Sequence, residues 1–124
     1  MRALLSIKPE FAEAIFSGKK KFEYRKVIFK EKVRYIQVYA TKPIGKIIGE
    51  FEIGEIIRDD PAKVWKKTRM HSGIKKSFYM QYFQNRRVAY AIEIKAANRY
   101  KEALCPYNEY NNFIAPQSFR YIKN

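Results

Sequence analysis

The segment Gly18-Lys19-Lys20-Lys21-Phe22-Glu23-Tyr24-Arg25 sets a glycine, a lysine, a glutamate and an arginine at spacings that let them serve one ligand. A glycine directly after a helix tolerates positive φ, so the chain can reverse tightly and bring Lys20 back toward the helix end. Lys20 then offers a mobile cationic donor. Arg25 supplies a planar fork that grips phosphate or carboxylate through paired hydrogen bonds, and Glu23 orients that fork or accepts a donor from a base. Two residues apart on a strand, Glu23 and Arg25 leave from the same face. A plainer reading stands beside this one: Glu23 and Arg25 form a structural ion pair, and Lys20 is one solvated member of the Lys19–Lys21 run. An exposed pair contributes only ~0–1 kcal/mol, which gives stability little reason to favour it.

The surrounding sequence has to position these groups. Ala3–Ile7 is an apolar run of strand length that stops at Lys8-Pro9, where proline suits the first turn of a helix. Phe11, Ala12, Ile15 and Phe16 follow at helical spacing, and Gly18 stands at the expected left-handed cap. Residues 21–25 alternate charged and aromatic side chains, the period of a strand with one buried face. Strand propensity returns at 33–40 and at 46–57, where Gly49 and Gly54 suggest the bends of a closing barrel. Residues 61–67 and 75–83 read as two short helices, the first holding Trp65. A strand is expected over 88–95, with Val88, Tyr90, Ile92 and Ile94 on one face and an extension at 99–103. Residues 105–114 read as loop and 117–122 as a last strand. The expected class is α+β: a mostly antiparallel β-barrel with one helix after the first strand and two short ones in the middle, as a single domain spanning 1–124.

Composition narrows the partners. Lys plus Arg number 26 against 12 Asp plus Glu, a formal net charge of +14. A small domain with that excess draws in polyanions and speeds their encounter, an effect that salt weakens. Nucleic acid is the expected partner; a merely soluble basic surface is the alternative. Basic residues spread over the whole chain argue against a lipid-binding amphipathic helix, and no apolar run approaches the ~20 residues of a bilayer span. One cysteine, Cys105, and one histidine, His71, cannot supply a usual zinc-site spacing or a Cys-His or Ser-His-Asp set. No metal or other cofactor is expected. With no apolar leader after Met1, a cytoplasmic location is expected, and a monomer is favoured.

Gly18, Lys20, Glu23 and Arg25 match the pattern GxKxxExR, which resembles the signature of the ASCH domain family, and the order strand, helix, glycine turn, strand agrees with that family. The stretches Tyr90–Ile94 and Pro116–Tyr121 also look like the corresponding strands of small stand-alone ASCH proteins. The resemblance implies a PUA-like barrel with a cleft beside the first helix, lined by the motif residues and suited to RNA, single-stranded nucleic acid or a modified nucleotide. It also implies an alternative, a small metal-independent hydrolase. This would be an amidohydrolase acting on a modified nucleoside such as N4-acetylcytidine, or a ribonuclease, with Lys20 as nucleophile or base and Glu23 or Glu50 exchanging protons. The amidohydrolase branch is understood to use a Lys, a Thr and a Glu, and here Glu23 fills the place of the Thr.

Other residues could border the same cleft. Lys8 precedes the first helix, Tyr39 and Thr41 end a strand, and Gln117, Ser118 and Arg120 lie on the last strand, where they could contact a base or phosphate. Their plainer roles are a cap, a core tyrosine and a hydrogen-bonded edge strand. The ten Tyr and nine Phe offer stacking platforms, although alternation places Phe22, Tyr24 and Tyr90 in the barrel interior.

Overall fold

The computed structural model describes residues 1–109 and 113–122. The element order is β1 (Arg2–Ile7), α1 (Pro9–Phe16), β2 (Phe22–Arg25), β3 (Tyr35–Ala40), β4 (Lys46–Asp59), α2 (Pro61–Thr68), a 3₁₀ turn (Arg69–His71), α3 (Lys76–Tyr82), β5 (Ala89–Leu104), α4 (Pro106–Glu109) and β6 (Phe119–Ile122). Part of the stretch expected to be loop, 110–112, lies outside the described residues; its first half contains the short α4 instead. The extension expected at 99–103 is part of β5, a single strand running from Ala89 to Leu104.

Local chemistry accounts for the helix starts. Pro9 and Pro61 each stand in the first turn, where the missing N–H costs no helical hydrogen bond. The Asp60 carboxylate accepts from the Ala62 amide and caps α2. At the end of α1, Gly18 takes φ +84° and the Lys20 amide donates to the Ala14 carbonyl. That hydrogen bond folds the lysine back under the helix.

Among the described residues six strands form one sheet in the order β2-β5-β4-β3-β1-β6. All pairings are antiparallel except β1 with β3, which α1 makes possible as a crossover. The sheet is a half-barrel, as in PUA-like folds. A fully closed barrel is not formed among the described residues: β2 and β6 are the two edges, and no ladder joins them. β2 reaches β1 instead through a side chain, the Arg25 Nη2 donating to the Ser6 carbonyl at 2.9 Å. Register shifts in the β4–β5 ladder between Ile47/Gly49, Glu52/Ile53 and Ile53/Ile56 supply the coiling.

Among the described residues, three apolar clusters fill the structure. One packs α1 against the sheet through Ala12, Ile15, Leu5, Ile36, Val38 and Phe51. A second lies under α2 and α3, where Tyr24 meets Val64, Tyr79 and Phe83 with Phe22 packed alongside. Phe22 and Tyr24 therefore pack beneath the helical layer and not inside the barrel as alternation suggested. The third joins Leu4, Tyr39, Ile47 and Phe113. Where α1 crosses β4, Gly49 permits the approach: a Cβ there would lie 2.5 Å from Phe16 Cζ and 2.7 Å from the Asn98 carbonyl oxygen.

Gly49→Ala is expected to destabilise the fold by about 1–3 kcal/mol, because neither an aromatic ring nor a backbone carbonyl can yield cheaply. The shift in urea midpoint at unchanged slope measures it.

Candidate functional site

Lys20, Glu23 and Arg25 converge. The Glu23 carboxylate lies between the two cations, with Oε1 3.7 Å from Lys20 Nζ and Oε2 3.2 Å from Arg25 Nη2. Lys20 is 2% exposed, Glu23 7% and Arg25 9%, so this is a buried cluster and not a surface pair. Two backbone carbonyls complete it. Lys20 Nζ donates to Ser72 O at 3.1 Å, and Arg25 donates to Ser6 O. Arg25 Nε is buried without a hydrogen-bond partner.

The cluster faces a hollow of about 150 Å³ lined by Ser6, Ile7, Lys8 and Phe11 on one side and by Ile74, Phe78 and Tyr82 on the other. Its position follows from the fold. β1 and the start of α1 give the first wall, β2 gives the floor, and the helical layer brings α3 across the top. Lys20 Nζ lies 4.7 Å from the centroid of the Tyr24 ring and 5.5 Å from that of Phe11. At the mouth, Lys8 Nζ is 5.0 Å from the centroid of Phe78. The Tyr24 hydroxyl is turned away and donates to Thr68 Oγ1 at 2.8 Å; burial raises its pKa to about 12, so it stays neutral at physiological pH.

Burial also governs Lys20. Loss of water lowers its pKa from the ordinary value, and this outweighs the opposing pull of the Glu23 carboxylate; the Arg25 charge lowers it further. The arrangement thus holds an amine that gives up its proton more readily than a surface lysine. Gly73 is part of the same support, with φ +67°, and a Cβ on it would lie 2.4 Å from Lys20 Cβ. The Lys21 amide donates to the His71 carbonyl at 2.8 Å, clasping the segment 71–73 to the start of β2.

Of the residues expected at the site, Lys8, Lys20, Glu23 and Arg25 line the hollow. Gly18 acts at one remove, through the turn that delivers Lys20. Tyr39 is 3% exposed in the third apolar cluster, its ring 5.4 Å from Phe113, and Thr41 is half-buried in the turn after β3, its amide donating to Ile7 O. Gln117 is exposed and Arg120 pairs with Leu4 on the β6 edge. Ser118 comes near only through its backbone, whose carbonyl accepts from the Ser6 amide at 3.3 Å, while Ser6 Oγ donates to Pro116 O. Glu50 belongs to a different cluster, with the Tyr100 hydroxyl donating to it at 2.8 Å and Arg2 3.7 Å away. The walls formed by Phe11, Ile74, Phe78 and Tyr82 and the support from Ser72 and Gly73 were not singled out from sequence. Among the described residues there is no cluster of His, Cys, Asp or Glu able to hold a metal, and no helix long and apolar enough to cross a membrane.

The family model for the ASCH domain matches residues 5–98, which contain every residue of the buried charge cluster. The chain belongs to the ASCH domain family. It is 30% identical over 128 residues to an ASCH domain-containing ribonuclease of Zymomonas mobilis, covering 98% of this chain and 84% of that protein. The crystal structure of ASCH from Zymomonas mobilis superposes with a TM-score of 0.91 at 28% identity, covering 98% of this chain and 87% of that one. The chain is also 29% identical over 121 residues to the large ribosomal subunit protein uL22 of Ureaplasma parvum, but it spans only 39% of that protein's length. Most of uL22 lies outside the match.

The buried lysine of this ASCH domain gives a signed pH dependence. Because its folded pKa is lowered, the unfolded chain holds the proton over the window between that value and about 10.5. Unfolding free energy of the wild type relative to Lys20→Met is therefore expected to rise with pH across the window and to level off above it. A difference that falls with pH would mean that the ion pair with Glu23 outweighs desolvation.

Proposed function

We propose that this ASCH domain binds single-stranded RNA, with one base seated in the hollow over Lys20, Glu23 and Arg25 and the flanking phosphates held by surrounding cations. The observation that carries the reading is a buried cluster of two cations and one carboxylate facing an aromatic-walled hollow, with Arg25 Nε left unpartnered. Such a cluster offers donors and one acceptor in fixed positions, which matches the mixed edge of a base better than a bare phosphate. Phe11, Phe78 and Tyr82 provide apolar walls for a ring, and the +14 charge of the chain supplies the sequence-independent attraction. The same charge and hollow leave single-stranded DNA as the comparison ligand.

Binding of a short single-stranded RNA is expected to weaken about tenfold between roughly 50 and 200 mM salt, the loss that follows from releasing the counterions of two or three phosphates. Arg25→Lys keeps the charge but removes the fork and Nε. It is expected to weaken binding on the order of tenfold or more while leaving the salt slope unchanged. Affinity that is flat with salt, or an unaltered Arg25→Lys, speaks against the reading.

A second reading is a metal-independent ribonuclease, favoured by the similarity to the ASCH domain-containing ribonuclease of Zymomonas mobilis and by the burial that lowers the Lys20 pKa, the direction a proton acceptor needs. Deacylation of an acylated cytidine has less support: Glu23 stands where that branch is understood to carry a Thr, and its carboxylate is held by two cations. Incubation with end-labelled single-stranded RNA and with N4-acetylcytidine separates these outcomes. Turnover that disappears in Lys20→Met would establish catalysis, and no product from either substrate would leave the binding module.

A further inference from the structure

The hollow over Lys20 does not end at Phe78. A wider and more open depression of about 560 Å³ adjoins it, lined by Glu10, Phe11, Gly73, Ile74, Lys75 and Phe78. Three of these residues, Phe11, Ile74 and Phe78, also line the inner hollow, so the two spaces share an apolar wall. Phe11 and Phe78 meet edge to face at 5.1 Å and together form that dividing wall. Lys8 Nζ stands over it, 5.0 Å from the Phe78 centroid, and Lys75 marks the far rim.

We infer that the outer depression is a second nucleotide subsite, so that the site takes two consecutive residues of a single strand. The inference rests on the proposed binding of a base in the inner hollow and deepens it. An apolar wall with an aromatic group on each of two adjoining spaces suits two neighbouring rings, and a cation above the divide stands where the phosphate joining them must pass. Lys75 adds a donor for the acceptor edge of the second ring, and Glu10 an acceptor for an exocyclic amine. A lone phosphate or a single nucleoside would leave the wider space unused.

The test compares adenosine 5′-monophosphate, adenosine 3′-monophosphate and the dinucleoside monophosphate ApA by calorimetric titration of the intact chain. ApA carries a single phosphodiester charge, fewer than either monophosphate, so any gain of ApA over the better monophosphate reports the second nucleoside and not added charge. ApA is expected to bind on the order of tenfold more tightly, the effect of one stacked base. Compared with Lys76→Glu, the same charge change outside both hollows, Lys75→Glu should remove most of that gain while weakening the monophosphates no further. Equal affinity of ApA and a monophosphate for the wild type overturns the second subsite while the inner one stands. So does equal weakening of all three ligands by both charge reversals. Failure of all three to bind overturns the inner site as well.

Discussion

Two cations and one carboxylate largely withdrawn from water at the foot of a hollow are the constraint around which this domain is organised. Withdrawing ions from water costs several kcal/mol each, and one carboxylate cannot neutralise two cations. The protein offsets part of that cost with backbone carbonyls: Ser72 for the lysine and Ser6 for the arginine. These two carbonyls come from opposite sides of the site, β1 and the segment before α3. Satisfying the charges therefore ties the sheet edge, the first strand and the helical layer together. The residue left over, a net positive charge with an unpartnered Arg25 Nε, is what such a site has to offer a ligand.

The same constraint explains several backbone features nearby. Gly18 at φ +84° turns the chain so that Lys20 returns beneath α1, and Gly73 lets the following loop press against the lysine stem. A Cβ at Gly18 meets open space but strains the left-handed backbone, whereas one at Gly73 would collide with the lysine stem. Tyr24 supports the floor without taking part in proton chemistry, since its hydroxyl is engaged by Thr68 and held neutral by burial. Charge on the rest of the surface works at longer range. In the proposed binding mode it concentrates polyanions around the molecule, and discrimination among them falls to the small buried set.

Local spacing made the charged half of the site readable from residues alone. Gly18, Lys20, Glu23 and Arg25 are close in the chain, and a helix, a turn and a strand suffice to bring them together. The apolar half was not readable, because Phe78 and Tyr82 reach β2 only through packing between elements far apart in sequence. Alternation correctly put Glu23 and Arg25 on one face, but it could not tell which face of β2 meets the helical layer; hence Tyr24 lies under α2 and α3. Tyr39 shows the reverse case. It lies near the end of the expected strand, yet beyond the register shift between Val38 and Tyr39 it packs in a cluster with Phe113. The expected barrel becomes a half-barrel because, among the described residues, the short β2 pairs in a ladder with β5 alone and a guanidinium, not a ladder, links it to β1, a distinction no periodicity encodes.

The most direct test is a crystal structure of the domain with a short single-stranded oligoribonucleotide. The expected result is a base inside the hollow, its edge hydrogen-bonded to Glu23 and to Arg25 Nε and its ring against Phe11 or Phe78. Density for RNA lying only along surface lysines, with the hollow unchanged, would contradict it.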